Sequence, residues 1–142
     1  CATNALESAI SDWTLLGIKT PKTLSLPNTS TNNAAQIEFE DGFKVFQAGD
    51  TGLFSDLKFV VGEVYKPDLA LLPIGNIFTM DPKEASIAAK WINPKYVIPM
   101  HYNSFPSIMQ DENEFKKLVE KETTSCETIL LKPLDIYEFK NK

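Results

Sequence analysis

The sequence predicts an α/β fold, a sheet with helices layered on it, and three observations carry that expectation. From residue 43 onward, short strand-like runs alternate with amphipathic helical runs. The run Asp68-Leu-Ala-Leu-Leu72 is apolar without alternation, the pattern of a parallel strand buried on both faces. Between it and the next strand, at 95–99, lies the strongest helix start of the chain: Asp81 as cap, Pro82 in the first turn and Glu84 reaching back. With 142 residues and 43% hydrophobic content, the chain is long enough to bury one core and too short for two full domains.

The elements follow in order. Asn4 and Glu7 form a capping box, and Leu6, Ile10, Trp13 and Leu16 recur at helical spacing until Gly17, which predicts a helix over 4–16. A loop broken by Pro21 leads into a short strand, and 27–33 is a polar connection. Ile37 and Phe39 alternate with Glu38 and Glu40 before Asp41-Gly42, which predicts a hairpin with a two-residue turn. Its second strand runs through Phe43 to Asp50. Leu57, Val60, Val61 and Val64 predict a helix over 53–65 that Lys66-Pro67 breaks. The helix begun at Asp81 continues through Ala85, Ile87, Ala88 and Trp91 and is expected to end before Asn93-Pro94. Phe115, Leu118 and Val119 predict a helix over 111–121, followed by strands at 128–131 and 135–139.

Composition excludes several function classes. The net charge of -5 leaves no clustered Lys and Arg for phosphate, so neither nucleic acid nor an anionic membrane is expected as a partner. No apolar run approaches the roughly 20 residues of a membrane span, and no signal peptide is evident, so a soluble, cytoplasmic protein is expected. The two cysteines, Cys1 and Cys126, form neither a disulfide framework nor a Cys-x-x-Cys pair. Cys126 has no base beside it in sequence and reads as a free thiol rather than a nucleophile. The chain opens on Cys1 rather than Met, from which an upstream segment that was removed, cleaved or left out is expected.

In an α/β sheet, ligands gather at the carboxyl ends of strands. Asp50, Gly75 and His101, the single histidine, all fall at such ends. A carboxylate and an imidazole suit a site for Zn, Mn or Fe, yet two ligands do not complete one. Each residue also has a plainer reading, Asp50 as a turn former and His101 as a hydrogen-bonded structural group. Asp81 is accounted for as a helix cap and Asp56 as a solvated residue. Ile77, Phe78, Met80, Tyr102 and Phe105 flank the expected pocket, where Gly75, Met80 and Tyr102 are candidate substrate contacts, although core packing explains such residues equally well.

Four strings carry a family resemblance: Ala48-Gly-Asp-Thr-Gly52, Leu71-Leu-Pro-Ile-Gly75, Phe78-Thr-Met-Asp-Pro82 with Glu84-Ala85, and Ile98-Pro-Met-His-Tyr102 before Phe105-Pro106. In this order they resemble the metallo-β-lactamase superfamily, in particular the UPF-type metal-dependent hydrolases related to the lactonase that opens L-ascorbate 6-phosphate. The resemblance implies an αββα sandwich, of which residues 1–142 form the carboxyl-terminal part of one domain. It implies that Asp50 bridges two metals and His101 binds one, as catalytic metal ligands. A metal-bound hydroxide would then attack an ester, lactone or phosphodiester, the divalent metal being Zn, with Mn, Fe or Ni as alternatives.

The departures matter as much. The family's opening sheet with its His-x-His-x-Asp-His loop has no counterpart, no His stands near Pro27-Asn-Thr-Ser30, and Asp81 replaces a usual Gly. The chain alone is therefore expected to be inactive, with an apolar sheet face left for a partner. That partner is expected to be the amino-terminal segment as a separate chain, giving a single-metal hydrolase acting on a small molecule, or else a second copy in a homo-oligomer. The competing expectation is a non-catalytic scaffold that keeps the fold without the site. A third reading, Asp50-Thr-Gly52 as one lobe of an aspartic protease, fits poorly, because the helices are too many for an all-β lobe.

Overall fold

The computed structural model describes residues 34–139 and the backbone of Thr23–Ser25. The predicted helix over 4–16 and the connection over 27–33 lie outside the described residues. Six strands form one sheet in sequential order: β1 (Thr23–Ser25), β2 (Ala35–Glu38), β3 (Lys44–Gln47), β4 (Leu69–Pro73), β5 (Tyr96–Met100) and β6 (Glu127–Thr128). The first three are antiparallel, and β3 to β6 run parallel. Three helices fill the parallel crossovers: α1 (Leu57–Tyr65), α2 (Pro82–Ile92) and α3 (Glu112–Glu122). This is the α/β sheet with helices that the alternation predicts.

Asp68 levels the starts of the three central strands. Its carboxylate accepts from the Lys44 amide at 3.0 Å and pairs with the exposed Lys95 amine at 2.8 Å. Its backbone carbonyl accepts from Tyr96 N at 2.9 Å, and its own N–H donates to the Lys44 carbonyl at 2.8 Å. The backbone bonds and the bond to the Lys44 amide carry the clamp, since an exposed ion pair contributes little.

The two sheet faces differ. Toward the helices, Phe46, Ala70, Leu72 and Val97 are fully buried against Leu57 and Val61 of α1, Ala85, Ala88, Ala89 and Ile92 of α2, and Phe115 and Val119 of α3. On the opposite face the register aligns Val45, Leu69 and Tyr96 in one row and Gln47, Leu71 and Ile98 in the next, with Met100 beyond. Most of these side chains are only half buried. Phe139 covers the row at the strand starts, its ring 5.2 Å from that of Phe43 and 5.0 Å from that of Tyr96.

Four expectations need correction. The hairpin closes not through a two-residue turn but through Glu40–Asp41–Gly42: Phe39 N donates to Phe43 O, Gly42 N donates to Phe39 O, and Gly42 takes φ +84°, the G1-bulge form. The predicted strand at 128–131 is confined to Glu127–Thr128. The predicted strand at 135–139 is irregular, because Phe139 stacks on the open face instead of joining a ladder. Finally, α1 is π-wound, with bonds reaching five residues back, as from Lys66 N to Val61 O at 2.9 Å. The wider turn aligns Leu57, Val61 and Tyr65 on the core and swings Val64, expected inside, out to solvent.

The other helix boundaries follow their chemistry. Asp81 accepts from Glu84 N at 2.7 Å, and Glu84 returns the bond in a complete capping box around Pro82. Lys66 and Asn93 end their helices in the left-handed region, each just before a proline. α1 meets α2 at Gly62, where a Cβ would collide with the Trp91 carbonyl and stand 3.1 Å from Ile92 Cα. Both obstacles are backbone. Gly62→Ala is therefore expected to lower stability by about 1–3 kcal/mol despite its better helix propensity. Urea unfolding measures this, and a variant as stable as the parent would show that the two helices are not held so close.

Candidate functional site

β3, β4 and β5 start level and run parallel, so their carboxyl ends open side by side. The Ala48 amide donates to Leu71 O, and the Ile74 amide donates to Met100 O, each at 3.0 Å, which extends the ladder to the last residues before the loops. Asp50 leaves the end of β3 and His101 the end of β5. Although the strand between them separates the two parent strands, His101 Nε2 and Asp50 Oδ1 stand 3.5 Å apart. Their side chains are 33% and 57% exposed, so both donors remain open to a ligand from solvent.

The loop after β4 follows the strand that lies between their parent strands. Met80 N donates to Thr51 O and Asn76 N donates to Met80 O, each at 3.0 Å, which ties this loop to the one bearing Asp50. On its other side, Gly75 abuts His101: a Cβ there would collide with the His101 carbonyl and stand 3.4 Å from the imidazole Nδ1. Gly75 is thus required by close approach to the histidine.

His101 adopts φ +56°, in the left-handed region that side chains other than Gly, Asn and Asp rarely enter. Asn103 and Asn76, in the same loops, do so at φ +58° and +71°. A backbone held in this region costs about 1–3 kcal/mol and persists where its surroundings over-determine it. Here Gly75 crowds it, and the next turns are fixed by Asn103, whose N–H donates to Ile108 O at 3.0 Å and whose Oδ1 accepts from Gln110 N at 2.7 Å.

Of the residues the sequence singles out, Asp50, Gly75 and His101 come together. Met80 does not line the opening: it is fully buried in the core beneath the loop. Tyr102 is half buried against the core, and burial, with a smaller contribution from Glu112, pushes its phenol up, so it remains an O–H donor at neutral pH. Asp81 is the cap of α2, and Asp56 precedes α1 without a capping bond. Sequence reasoning missed the strain at His101 and the asparagines that share it; Asn103, placed soon after the histidine, was the available signal. Among the described residues, no group of three or more His, Cys, Asp or Glu gathers to hold a metal.

Cys126 is buried, and burial with the neighbouring Glu127 pushes its thiol up to about 12. It therefore stays protonated and unreactive across the physiological range.

Comparison with known proteins shows the family. Residues 5–101 match the beta-lactamase superfamily domain, and the chain belongs to that superfamily. It is 50% identical over 103 residues to a UPF0173 metal-dependent hydrolase of Methanobrevibacter smithii, covering 72% of this chain and 43% of the relative. A UPF0173 metal-dependent hydrolase of Methanosphaera stadtmanae is 52% identical over 101 residues, or 71% of this chain and 43% of the relative. Among solved structures, Igni18, a metallo hydrolase of Ignicoccus hospitalis, superposes with a TM-score of 0.69 at 44% identity, over 85% of this chain and 52% of its own. The metallo-β-lactamase fold protein YhfI of Bacillus subtilis, at 14% identity, shares the fold with a TM-score of 0.58 over 89% of this chain and 60% of its own. The chain thus spans about half the length of these proteins. No helix among the described residues is long and apolar enough to cross a membrane.

Two outcomes test the site. At position 101, Gly is expected to be roughly 1 kcal/mol more stable than Ala, because only Gly enters the left-handed region without strain; equal urea midpoints for the two variants would remove the strain argument. Cys126 in a Cys1→Ser background is expected to resist a thiol reagent at pH 8 until the protein is unfolded. Because its folded pKa lies above the unfolded value, the folded state holds the proton longer, and this contribution to stability is lost as pH rises from about 8.5 toward 12. Rapid labelling of the native protein would contradict the burial.

Proposed function

We propose that this chain is the carboxyl-terminal part of a metal-dependent hydrolase in which Asp50 and His101 hold one divalent cation. Zn fits the mixed carboxylate and imidazole donors, and Mn, Fe or Ni are the alternatives. The single observation that carries the reading is the 3.5 Å separation of Asp50 Oδ1 and His101 Nε2. Two donors each about 2.0–2.2 Å from a tetrahedral ion stand roughly 3.3–3.6 Å apart. When bound, such an ion supplies Lewis acidity and a nucleophilic water at neutral pH for attack on an ester, lactone or phosphodiester. Gly75 lets the central loop approach the imidazole closely, and Tyr102, the next residue after the histidine, keeps its phenol protonated against the core. Met80 supports the loop from below.

Two ligands do not retain a metal, so the remaining ones come from a segment that covers the half-buried sheet face. An amino-terminal segment carrying the His-x-His-x-Asp-His loop fits this need, and the length of the relatives is consistent with it. The half-exposed Leu71, Ile98 and Met100 favour such a cover. So does Gln47 on the same face, whose buried Oε1 has no hydrogen-bond donor among the described residues. The chain alone is then inactive.

Elemental analysis of the chain assembled with that segment is expected to give about one metal per assembly, and chelation is expected to abolish hydrolysis. Asp50→Asn should weaken metal binding by more than the roughly 10–100-fold that loss of an outer-shell partner costs. A metal-free homodimer that is unaffected by this substitution would instead show a scaffold that retains the fold without the chemistry.

A further inference from the structure

The loops around the donor pair are unusual in composition, and this bears on what the site accepts. Residues 48–55, 74–81 and 101–111 form the three loops at the carboxyl ends of β3, β4 and β5, and they contain no Lys or Arg. They do contain Asp50, Asp81 and Asp111. Large apolar side chains stand exposed on two of these loops: Ile77 at 62% and Phe78 at 65% after β4, and Phe105 at 44% and Met109 at 62% after β5. The two loops touch where a Gly75 Cβ would lie 3.3 Å from Ile108 Cβ, next to Met109. The Ile108 amide donates to the Phe105 carbonyl, so Phe105 and Met109 flank one tight turn of Pro106–Ile108.

Isolated exposed apolar residues need no explanation, but four on two adjoining loops beside an open carboxylate and imidazole mark a binding edge. Recognition of phosphate would call for Arg, Lys or a helix N-terminus aimed at the anion. The α2 terminus that borders these loops is already occupied by the Asp81 carboxylate. Asp81 and Asp111 cap their helices and offer an anion no donor, whereas the apolar rim gains from covering a hydrocarbon.

From this rim we infer the substrate class: a neutral ester or lactone carrying an alkyl or aromatic arm that lies on Ile77, Phe78, Phe105 and Met109, and not a phosphodiester. The inference rests on the hydrolase reading above and narrows it. The loops supply the apolar contact, and Asp50 with His101 faces the scissile group.

Kinetics on the metal-loaded assembly test it, with p-nitrophenyl acetate, butyrate and hexanoate compared with bis(p-nitrophenyl) phosphate. The specificity constant is expected to rise about two- to fourfold per added methylene and to be lowest for the phosphodiester. The double substitution Ile77→Ser with Phe78→Ser is expected to flatten the dependence on chain length. A flat series, or preference for the phosphodiester, would overturn the inference while leaving the hydrolase intact. Absence of any metal-dependent turnover would overturn the hydrolase reading instead. Binding then decides the substrate class independently, through the methyl resonance of Met109 in the 142-residue chain labelled with [13C-methyl]methionine. Hexanamide is expected to shift it at lower concentration than diethyl phosphate, and the reverse order, or no response to hexanamide, would refute an apolar subsite.

Discussion

Asp68 accepts from the Lys44 amide through its side chain and from Tyr96 through its backbone, and so starts β3, β4 and β5 at one level. Strands that begin together and run parallel also end together, within a residue or so. This is what brings Asp50 and His101, far apart in sequence, to 3.5 Å. Among the described residues, the helices secure the arrangement from one side. Phe46, Ala70, Leu72 and Val97 seal that side completely, while the other face keeps Leu71, Ile98 and Met100 half open next to the donors.

The loops convert this alignment into a site by accepting strain. His101 in the left-handed region points its imidazole where an extended backbone would not, and Gly75 is the residue small enough to pass behind it. Asn76 and Asn103 take the same conformation on the two loops that meet there.

Much of this was legible in the residues. The position of Asp50, Gly75 and His101 just past the ends of β3, β4 and β5 was legible because glycine and proline mark where those strands stop. The start of α2 was legible because a capping box is a local feature, and the ends of α1 and α2 because Lys66 and Asn93 precede proline. What failed depended on distant contacts. The alternation in 135–139 suggested a strand, but Phe139 finds Phe43 and Tyr96 on the open face and stacks there. Val64 had helical spacing, but the π-winding beside Gly62 turns it outward. Met80 flanks the expected pocket in sequence, yet its side chain is fully buried in the core, which is the plainer of its two readings. The strain at His101 leaves no mark in hydrophobic periodicity at all.

The central claim is that Asp50 and His101 share one metal ion. Anomalous X-ray scattering from crystals of the assembled protein, recorded at the absorption edge of the metal it carries, addresses this directly. The account predicts a single strong peak about 2.0–2.2 Å from both Asp50 Oδ1 and His101 Nε2. A peak elsewhere, or an Asp50–His101 pair bonded directly with no metal between them in a metal-containing crystal, would contradict it.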